Sequence, residues 1–237
     1  MASQIKIITA KGIRLSLNFS IPPERAVGLG QFEPDIVPLF ESLIPKSGIV
    51  LDVGAWIGYY ALLAAQKTGE RGRIIAIEPV PENIDAIIRN VRLNHLNNIE
   101  VVPCGVSHCE GISSFTPIAS PTAHIIPFQK DNAIKIRIRK LDDILHDAGI
   151  SHVDVMIMDV EGSESYAFQG LRAFLENRAI DNIICEVHPR FLKRHNCNIQ
   201  EVYQLLTKNN YNIKILDLPV HSDWKIDSVF HIWARKT

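Results

Sequence analysis

The sequence contains few cysteines, and none of them is spaced for a zinc site or a disulfide framework. Among its 237 residues there is no C-x-x-C pair, and the four cysteines are Cys104, Cys109, Cys185 and Cys197. Free thiols of this kind fit a reducing compartment. We therefore expect a cytoplasmic protein.

The sequence also lacks a long apolar run and an excess of either charge. No uninterrupted apolar stretch reaches the roughly 18 residues that a membrane span needs, and the first residues lack the apolar core of a signal peptide. The formal net charge is −1, which does not favour a nucleic-acid partner. These absences predict a soluble protein with no membrane association.

What the sequence does contain, after residue 48, is an alternation of strand-like and helix-like runs. Seven runs have the apolar character of strands in a covered sheet, and they are "IVLDVG", "RIIAIEP", "IEVVPCGVS", "VDVMIMDV", "NIICEVH", "YNIKILDL" and "SVFHIWARK". The helical runs are "YYALLAAQK", "PENIDAIIRNVRLNH", "ESYAFQGLRAFLEN" and "IQEVYQLLTKNN". This alternation predicts an α/β fold with a mixed seven-stranded sheet, helices on both faces and an antiparallel last strand.

Two segments depart from the alternation. Residues 1–48 predict a small N-terminal cap, with a hairpin that turns at Lys11-Gly12 and a helix in "EPDIVPLFESLI". Residues 49–237 then form the main domain. Within it, residues 112–140 contain three prolines and two β-like runs, which predict an inserted hairpin, and residues 219–227 are expected to join the last two strands.

The turn after the first core strand, "VLDVGAWIG", is a candidate cofactor site. Dinucleotide folds use G-x-G-x-x-G, but Trp56 and Tyr59 occupy its second and third glycine positions here. S-adenosylmethionine has no phosphate, so a turn with Gly54 and Gly58 can hold its amino-acid tail, with amides near the helix start for the carboxylate. Glu78 ends the next strand, where it can accept hydrogen bonds from both ribose hydroxyls. The alternative is that the glycines only permit tight packing.

Five ordered segments carry a resemblance to a known family, and they are "VLDVGAWIGYYALLAA", "AIEPVPENIDAIIRNVRLN", "RKLDDIL", "VDVMIMDVEGSE" and "EVHP". The chain resembles the FkbM-type methyltransferases, which implies a Rossmann-like class I fold, S-adenosyl-L-methionine as cofactor and O-methylation of a sugar or polyketide hydroxyl. Trp56 stands where the family usually has asparagine. The residues assigned to the cofactor are Asp52, Gly54, Ala55, Trp56, Gly58, Glu78, Pro79, Gly105 and Val106, the last two beside the adenine.

Methyl transfer to a hydroxyl needs a group that takes the proton as the C–O bond forms. Asp159 and Glu161 follow the fourth core strand, and Glu186 and His188 end the fifth. Asp159 is predicted to orient the hydroxyl, while a neutral His188 takes the proton, and no metal ligand is assigned. Two alternatives stay open at this point: the acidic residues, with Ser163, satisfy the amides of the next helix, or the carboxylates bind Mg²⁺.

Two basic clusters bear on the acceptor. Lys135, Arg137 and Arg139 alternate with isoleucines, which is typical of a solvated strand face. A second cluster follows "EVHP" and suits an anionic acceptor, with Arg190, Lys193, Arg194 and His195. The predicted acceptor is a small molecule or a glycan. The alternatives are an RNA methyltransferase with the same cofactor pocket and a cofactor-binding module without catalysis.

Overall fold

The computed structural model describes residues 5–116, 124–125, 133–194, 197–216 and 228–237. The chain divides into two compact units, residues 1–103 and 104–237. Among the described residues, no helix is both long and apolar enough to cross a membrane. The domain boundary after residue 48 stays a prediction.

The first unit contains a hairpin followed by three strands that alternate with helices. Its elements are β1 (Ile5–Ala10), β2 (Ile13–Asn18), α1 (Pro22–Gly28), α2 (Ile36–Leu43), β3 (Ile49–Val53), α3 (Tyr59–Thr68), β4 (Arg73–Ile77), α4 (Pro81–Leu93) and β5 (Ile99–Val102). Strands β3, β4 and β5 pair in parallel in that order. The cap hairpin and its helix are confirmed, and α1 is an addition that begins with two prolines, which suit a helix start.

A buried asparagine links the hairpin to the turn after β3. Asn90 of α4 is completely buried, and its Oδ1 accepts a hydrogen bond from the Ser16 N–H at 2.8 Å. Its Nδ2 donates to the Ile57 carbonyl at 3.0 Å. Because both ends of the amide are paired inside the protein, the cap and the turn are held by one side chain.

The described part of the second unit contains thirteen further strands and helices, among them a parallel pair of strands. Its elements are β6 (Gly105–Val106), β7 (Gly111–Thr116), β8 (His124–Ile125), β9 (Ile134–Arg139), α5 (Leu141–Asp147), β10 (Val153–Met158), α6 (Glu164–Gln169), α7 (Arg172–Glu176), β11 (Ile180–Val187), α8 (Pro189–Arg194), α9 (Ile199–Lys208), β12 (Tyr211–Ile215) and β13 (Phe230–Lys236). Strands β10 and β11 are parallel, and β13 runs antiparallel to both β11 and β12.

The predicted fold class is confirmed. The described residues include a mixed sheet of seven strands, and its last strand is antiparallel. The strands of both units are rich in fully buried isoleucine, valine and leucine. This composition is expected of strands that are covered on both faces.

Three details of the expected elements differ from the structure. The run at residues 99–107 breaks at Pro103 into β5 and β6, because proline lacks the N–H that would continue the ladder. The helical run at residues 164–177 divides into α6 and α7 at Gly170. The inserted hairpin is present as the antiparallel pair β7–β9, whereas its three prolines and residues 219–227 lie outside the described residues.

Candidate active site

The turn after β3 holds three residues in left-handed backbone conformations. Gly54 has φ 85°, Trp56 has φ 49° and Gly58 has φ 81°. The N–H groups of Gly54 and Ala55 both donate to the carbonyl of Ile77, at 2.9 and 3.0 Å. Glycine adopts this conformation at low cost, but a tryptophan there is strained by roughly 1–3 kcal/mol.

Glu78 fixes this turn from the end of β4. Its side chain is buried, and one carboxylate oxygen accepts the Trp56 N–H at 2.9 Å. The other oxygen accepts the Val80 N–H at 2.9 Å and the Asn83 side-chain amide at 3.1 Å. Glu78 therefore joins the turn to the start of α4. Its bonds to the ribose stay a prediction, as does the role of the neighbouring Pro79.

The chemistry of this turn fits S-adenosylmethionine better than a phosphate-bearing cofactor. The buried carboxyl groups of Asp52 and Glu78 lie at the ends of two adjacent parallel strands. Such groups attract the cofactor's ammonium and hydroxyl groups and repel phosphates. The N–H groups of Gly54, Ala55, Trp56 and Gly58 already donate within the unit. The first amides of α3, which have no acceptor inside the helix, are the donors left for the cofactor's carboxylate.

Gly105 and Val106 form β6 in the second unit. Both are buried, and they pair in parallel with Ile138 and Arg139 of β9. Their predicted place beside the adenine stays a prediction.

Three of the four residues predicted for catalysis lie around the imidazole of the fourth, in the second unit. His188 is almost fully buried, and its Nε2 lies 3.2 Å from Glu161 Oε2, 3.8 Å from Glu186 Oε1 and 3.9 Å from Asp159 Oδ1. Its Nδ1 lies 2.7 Å from Glu164 Oε1. We call these four carboxylates and His188 the acid–imidazole cluster.

Glu164 is the member of this cluster that sequence analysis missed. Its side chain is fully buried, and its Oε1 also accepts the Gly162 N–H at 2.9 Å. Glu164, and not Glu186, is the partner of the Nδ1 atom of His188. One sequence feature could have indicated Glu164: it is an acidic residue at the first position of a helix, directly after "EGS".

The backbone before α6 brings Glu161 towards the imidazole. Glu161 has φ 51° and Gly162 has φ 99°. A Cβ at Gly162 would lie 2.2 Å from the Cβ of Phe191, so only glycine fits. Ser163 occupies the N-cap position without a capping hydrogen bond from its side chain. The helix-capping alternative therefore receives no support at Ser163, and Glu164 takes the nearby Gly162 amide instead.

The cluster changes the pKa of its members. Burial lowers the pKa of His188, but the hydrogen bond and charge of Glu164, with the charges of Asp159 and Glu161, raise it to about 9. Burial and the charge of Asp159 raise the pKa of Glu161 to about 8. Burial of its oxygen also raises the pKa of Asp159. The raised pKa favours a protonated His188 at neutral pH, in contrast to the neutral imidazole that the sequence predicts.

The magnesium alternative keeps a geometric basis. Ligand atoms of Asp159, Glu161 and His188 all lie within 4.8 Å of one another. Carboxylate oxygens suit Mg²⁺, but a protonated imidazole is not a ligand. The same three side chains can thus share protons or hold a cation, and the first arrangement matches the raised pKa of His188.

The basic clusters differ in how far the structure describes them. Arg139 forms ion pairs with Glu110 at 3.1 Å and with Asp147 at 2.6 Å. Arg190 and Lys193 of α8 are exposed. The side chain of Arg194 and all of His195 lie outside the described residues, so contact of this cluster with an acceptor stays a prediction.

Comparison with known proteins identifies the family. The family model for the methyltransferase FkbM domain matches residues 52–213. The chain belongs to this family, as its motifs predicted. It is similar to methyltransferase sdnD of Sordaria araneosa, with 26% identity over 161 residues, or 54% of this chain. The chain spans 62% of the length of that relative.

Solved structures show the same fold at low identity. The precorrin-6y C5,15-methyltransferase of Geobacter metallireducens has a TM-score of 0.56 and 14% identity, with 99% of this chain and 100% of that chain covered. Fibrillarin of Aeropyrum pernix, solved with S-adenosyl-L-methionine, has a TM-score of 0.50 and 15% identity, with 81% and 68% covered. The Rossmann-like methyltransferase fold is thus confirmed. The family makes S-adenosyl-L-methionine the cofactor of this chain, as predicted.

Proposed function

We propose that this chain transfers a methyl group from S-adenosylmethionine to a hydroxyl oxygen of a small molecule or glycan. The acid–imidazole cluster is the observation that carries the proposal. Asp159 is its most accessible carboxylate, with 42% of the side chain exposed against 11% for Glu161 and none for Glu164. An acceptor can therefore reach Asp159 while the other groups stay fixed beneath it.

In this proposal the cofactor binds to residues of the first unit. Asp52 and Glu78 suit its ammonium and ribose hydroxyls, and the first amides of α3 suit its carboxylate. When bound, the cofactor supplies an electrophilic methyl group on a sulfonium. The chain's own task is then to orient the acceptor oxygen and to remove its proton.

Asp159 is the proposed proton acceptor. Its carboxylate accepts a hydrogen bond from the acceptor hydroxyl, which fixes the direction of the oxygen lone pair. Because its pKa is raised, Asp159 is a stronger base than an ordinary aspartate and takes the proton as the C–O bond forms. His188 is a positioning residue in this scheme: Glu164 holds its Nδ1, and its protonated Nε2 faces Glu161 and Asp159.

Labelling of a cell extract tests this function. The protein is incubated with methyl-labelled S-adenosylmethionine and extract from the source cell, and the products are separated into RNA, glycans and small molecules. We expect label in glycans or small molecules, stable to mild base as an ether is, and absent with Asp159→Asn. Label in RNA, in base-labile esters or on nitrogen would overturn the proposal, as would full labelling by Asp159→Asn.

A further inference from the structure

An aromatic patch surrounds the tryptophan of the cofactor turn in the first unit. The patch consists of Phe32, Trp56, Tyr59 and Tyr60. The ring of Phe32 lies 5.9 Å from that of Trp56, 5.8 Å from Tyr59 and 6.4 Å from Tyr60, measured between centroids. Trp56 and Phe32 are half-buried, so part of their ring surface is open beside the turn.

Carboxylates lie around this patch. The Tyr60 hydroxyl donates a hydrogen bond to Glu33. Burial and the charges of Glu41 and Glu33 raise the pKa of Tyr59 to about 12. Burial, Glu33 and Asp52 likewise raise the pKa of Tyr60. The rings therefore lie in a negative field, which favours a cation over a neutral or anionic group.

The backbone around the patch is strained at two non-glycine residues. Trp56 has φ 49° and Glu33 has φ 41°. The first is held by the bond from its N–H to Glu78, and the carbonyl of the second accepts the N–H groups of Ile36 and Val37. A bulky residue kept in this conformation inside a cofactor turn is an observed outlier of the kind found at functional sites.

We infer that the aromatic patch binds the sulfonium charge of S-adenosylmethionine through the face of Trp56, and so distinguishes the methylated cofactor from its neutral product. This inference rests on the cofactor and on neither the acceptor nor Asp159. During transfer the S–CH₃ bond breaks, its electron pair stays on sulfur, the methyl carbon bonds to the acceptor oxygen, and the hydroxyl proton passes to a base, which the proposed function identifies as Asp159. Because sulfur becomes neutral, the cation–π attraction ends and the product, S-adenosylhomocysteine, is bound less tightly.

Calorimetry with the two ligands tests the inference without any acceptor. S-adenosylmethionine and S-adenosylhomocysteine share their adenosine, carboxylate and ammonium groups, so their affinity ratio reports on the methylsulfonium. We expect Trp56→Leu to reduce the ratio of the two affinities by about 3- to 30-fold, the range of a cation–π contact. Trp56→Phe, which keeps a weaker aromatic face, is expected to reduce it less. Trp233→Leu removes a half-buried tryptophan from β13 as the control and should leave the ratio unchanged.

Two results with Trp56→Leu would contradict the inference. If Trp56→Leu weakens both ligands equally, Trp56 only shapes the turn, and the inference fails. An unchanged ratio overturns it as well. Should Trp56→Leu not fold, Trp56→Phe decides, because a ratio equal to that of the wild type contradicts a role for the indole face. A protein that shows the expected ratios but no O-methylation would retain this inference and lose the proposed function.

Discussion

Both candidate regions place buried carboxylates at the ends of parallel strands, but they give those carboxylates different partners. In the first unit, Glu78 accepts three N–H groups of its own chain. In the second, four carboxylates face the imidazole of His188. Amide N–H groups cannot change their charge, whereas carboxylates and an imidazole can exchange protons.

The difference separates a carboxylate that holds the backbone in one shape from carboxylates that can take up or release a proton. Glu78 holds a strained turn in one shape, which suits the recognition of a cofactor. The acid–imidazole cluster instead buries like charges close together, and burial with the charge of Asp159 raises the pKa of Glu161 to about 8. Groups that titrate near neutrality suit proton transfer. We therefore expect the two units to differ in task although both use buried acids.

The largest expected effect is on stability, from His188→Ala. The substitution leaves the fully buried Glu164 without its partner at 2.7 Å. Breaking a buried ion pair costs about 3–5 kcal/mol of unfolding free energy, which urea denaturation measures. His146→Ala is the control, because that side chain is 89% exposed. If Glu164→Gln in the same chain restores none of the loss, the pair is not its cause.

The pH dependence of stability tests the cluster as a whole. His188 has an ordinary pKa of 6.5 that rises to about 9 in the folded chain, so its contribution is present below pH 6.5 and is lost as the pH rises through 9. The contribution of His188 that is lost amounts to about 3 kcal/mol of unfolding free energy. Glu161 acts with the same sign, because its pKa is also raised, from 4.5 to about 8. We expect the unfolding free energy to fall as the pH rises from 4.5 to 9, through Glu161 first and then His188, and to fall less above pH 6.5 in Glu164→Gln. A flat profile would contradict the raised values.

Asp159→Asn tests whether the acid–imidazole cluster takes the proton of the acceptor. The amide can still orient a hydroxyl but cannot take its proton, so we expect kcat to fall by about 10²-fold or more with the affinity for S-adenosylmethionine nearly intact. Turnover of the acceptor found by extract labelling gives kcat. Asp154→Asn changes an acid on the same strand, β10, and should keep full activity. Equal losses in the two variants would point to the strand rather than to the base.

Sequence pattern predicted the fold and most of the site because both depend on local order. β-branched runs defined the strands, and Asp159 and His188 met because the carboxyl ends of adjacent parallel strands lie together. The same logic placed Glu78 beside the glycine turn. Each of these inferences needs only the direction and the neighbour of a strand.

The missed features depend on contacts between elements that are distant in sequence. Glu164 begins a helix and meets an imidazole 24 residues later, a contact that no periodicity indicates. The pKa of His188 follows from that contact, so the neutral imidazole could not be corrected from sequence. The same holds for the bond from the Trp56 N–H to Glu78, 22 residues apart, which makes Glu78 a support of the turn in addition to its predicted ribose contact.

Glu78→Ala tests whether Glu78 supports the turn or binds the cofactor, and its expected effect is the smallest of these. The substitution removes the acceptor of the Trp56 N–H together with the predicted ribose contact. We expect S-adenosylmethionine to bind more weakly by about 1.5–3 kcal/mol in calorimetry, the range for hydrogen bonds to a charged group. Glu82→Ala, which changes an exposed acid in the first turn of α4, is the matched control. Thermal melting separates the two roles of Glu78: a lower Tm with unchanged affinity would make it a support of the turn alone. A loss of affinity with an unchanged Tm would instead show that its carboxylate binds the cofactor directly, because a strained turn that keeps its stability has not lost its shape.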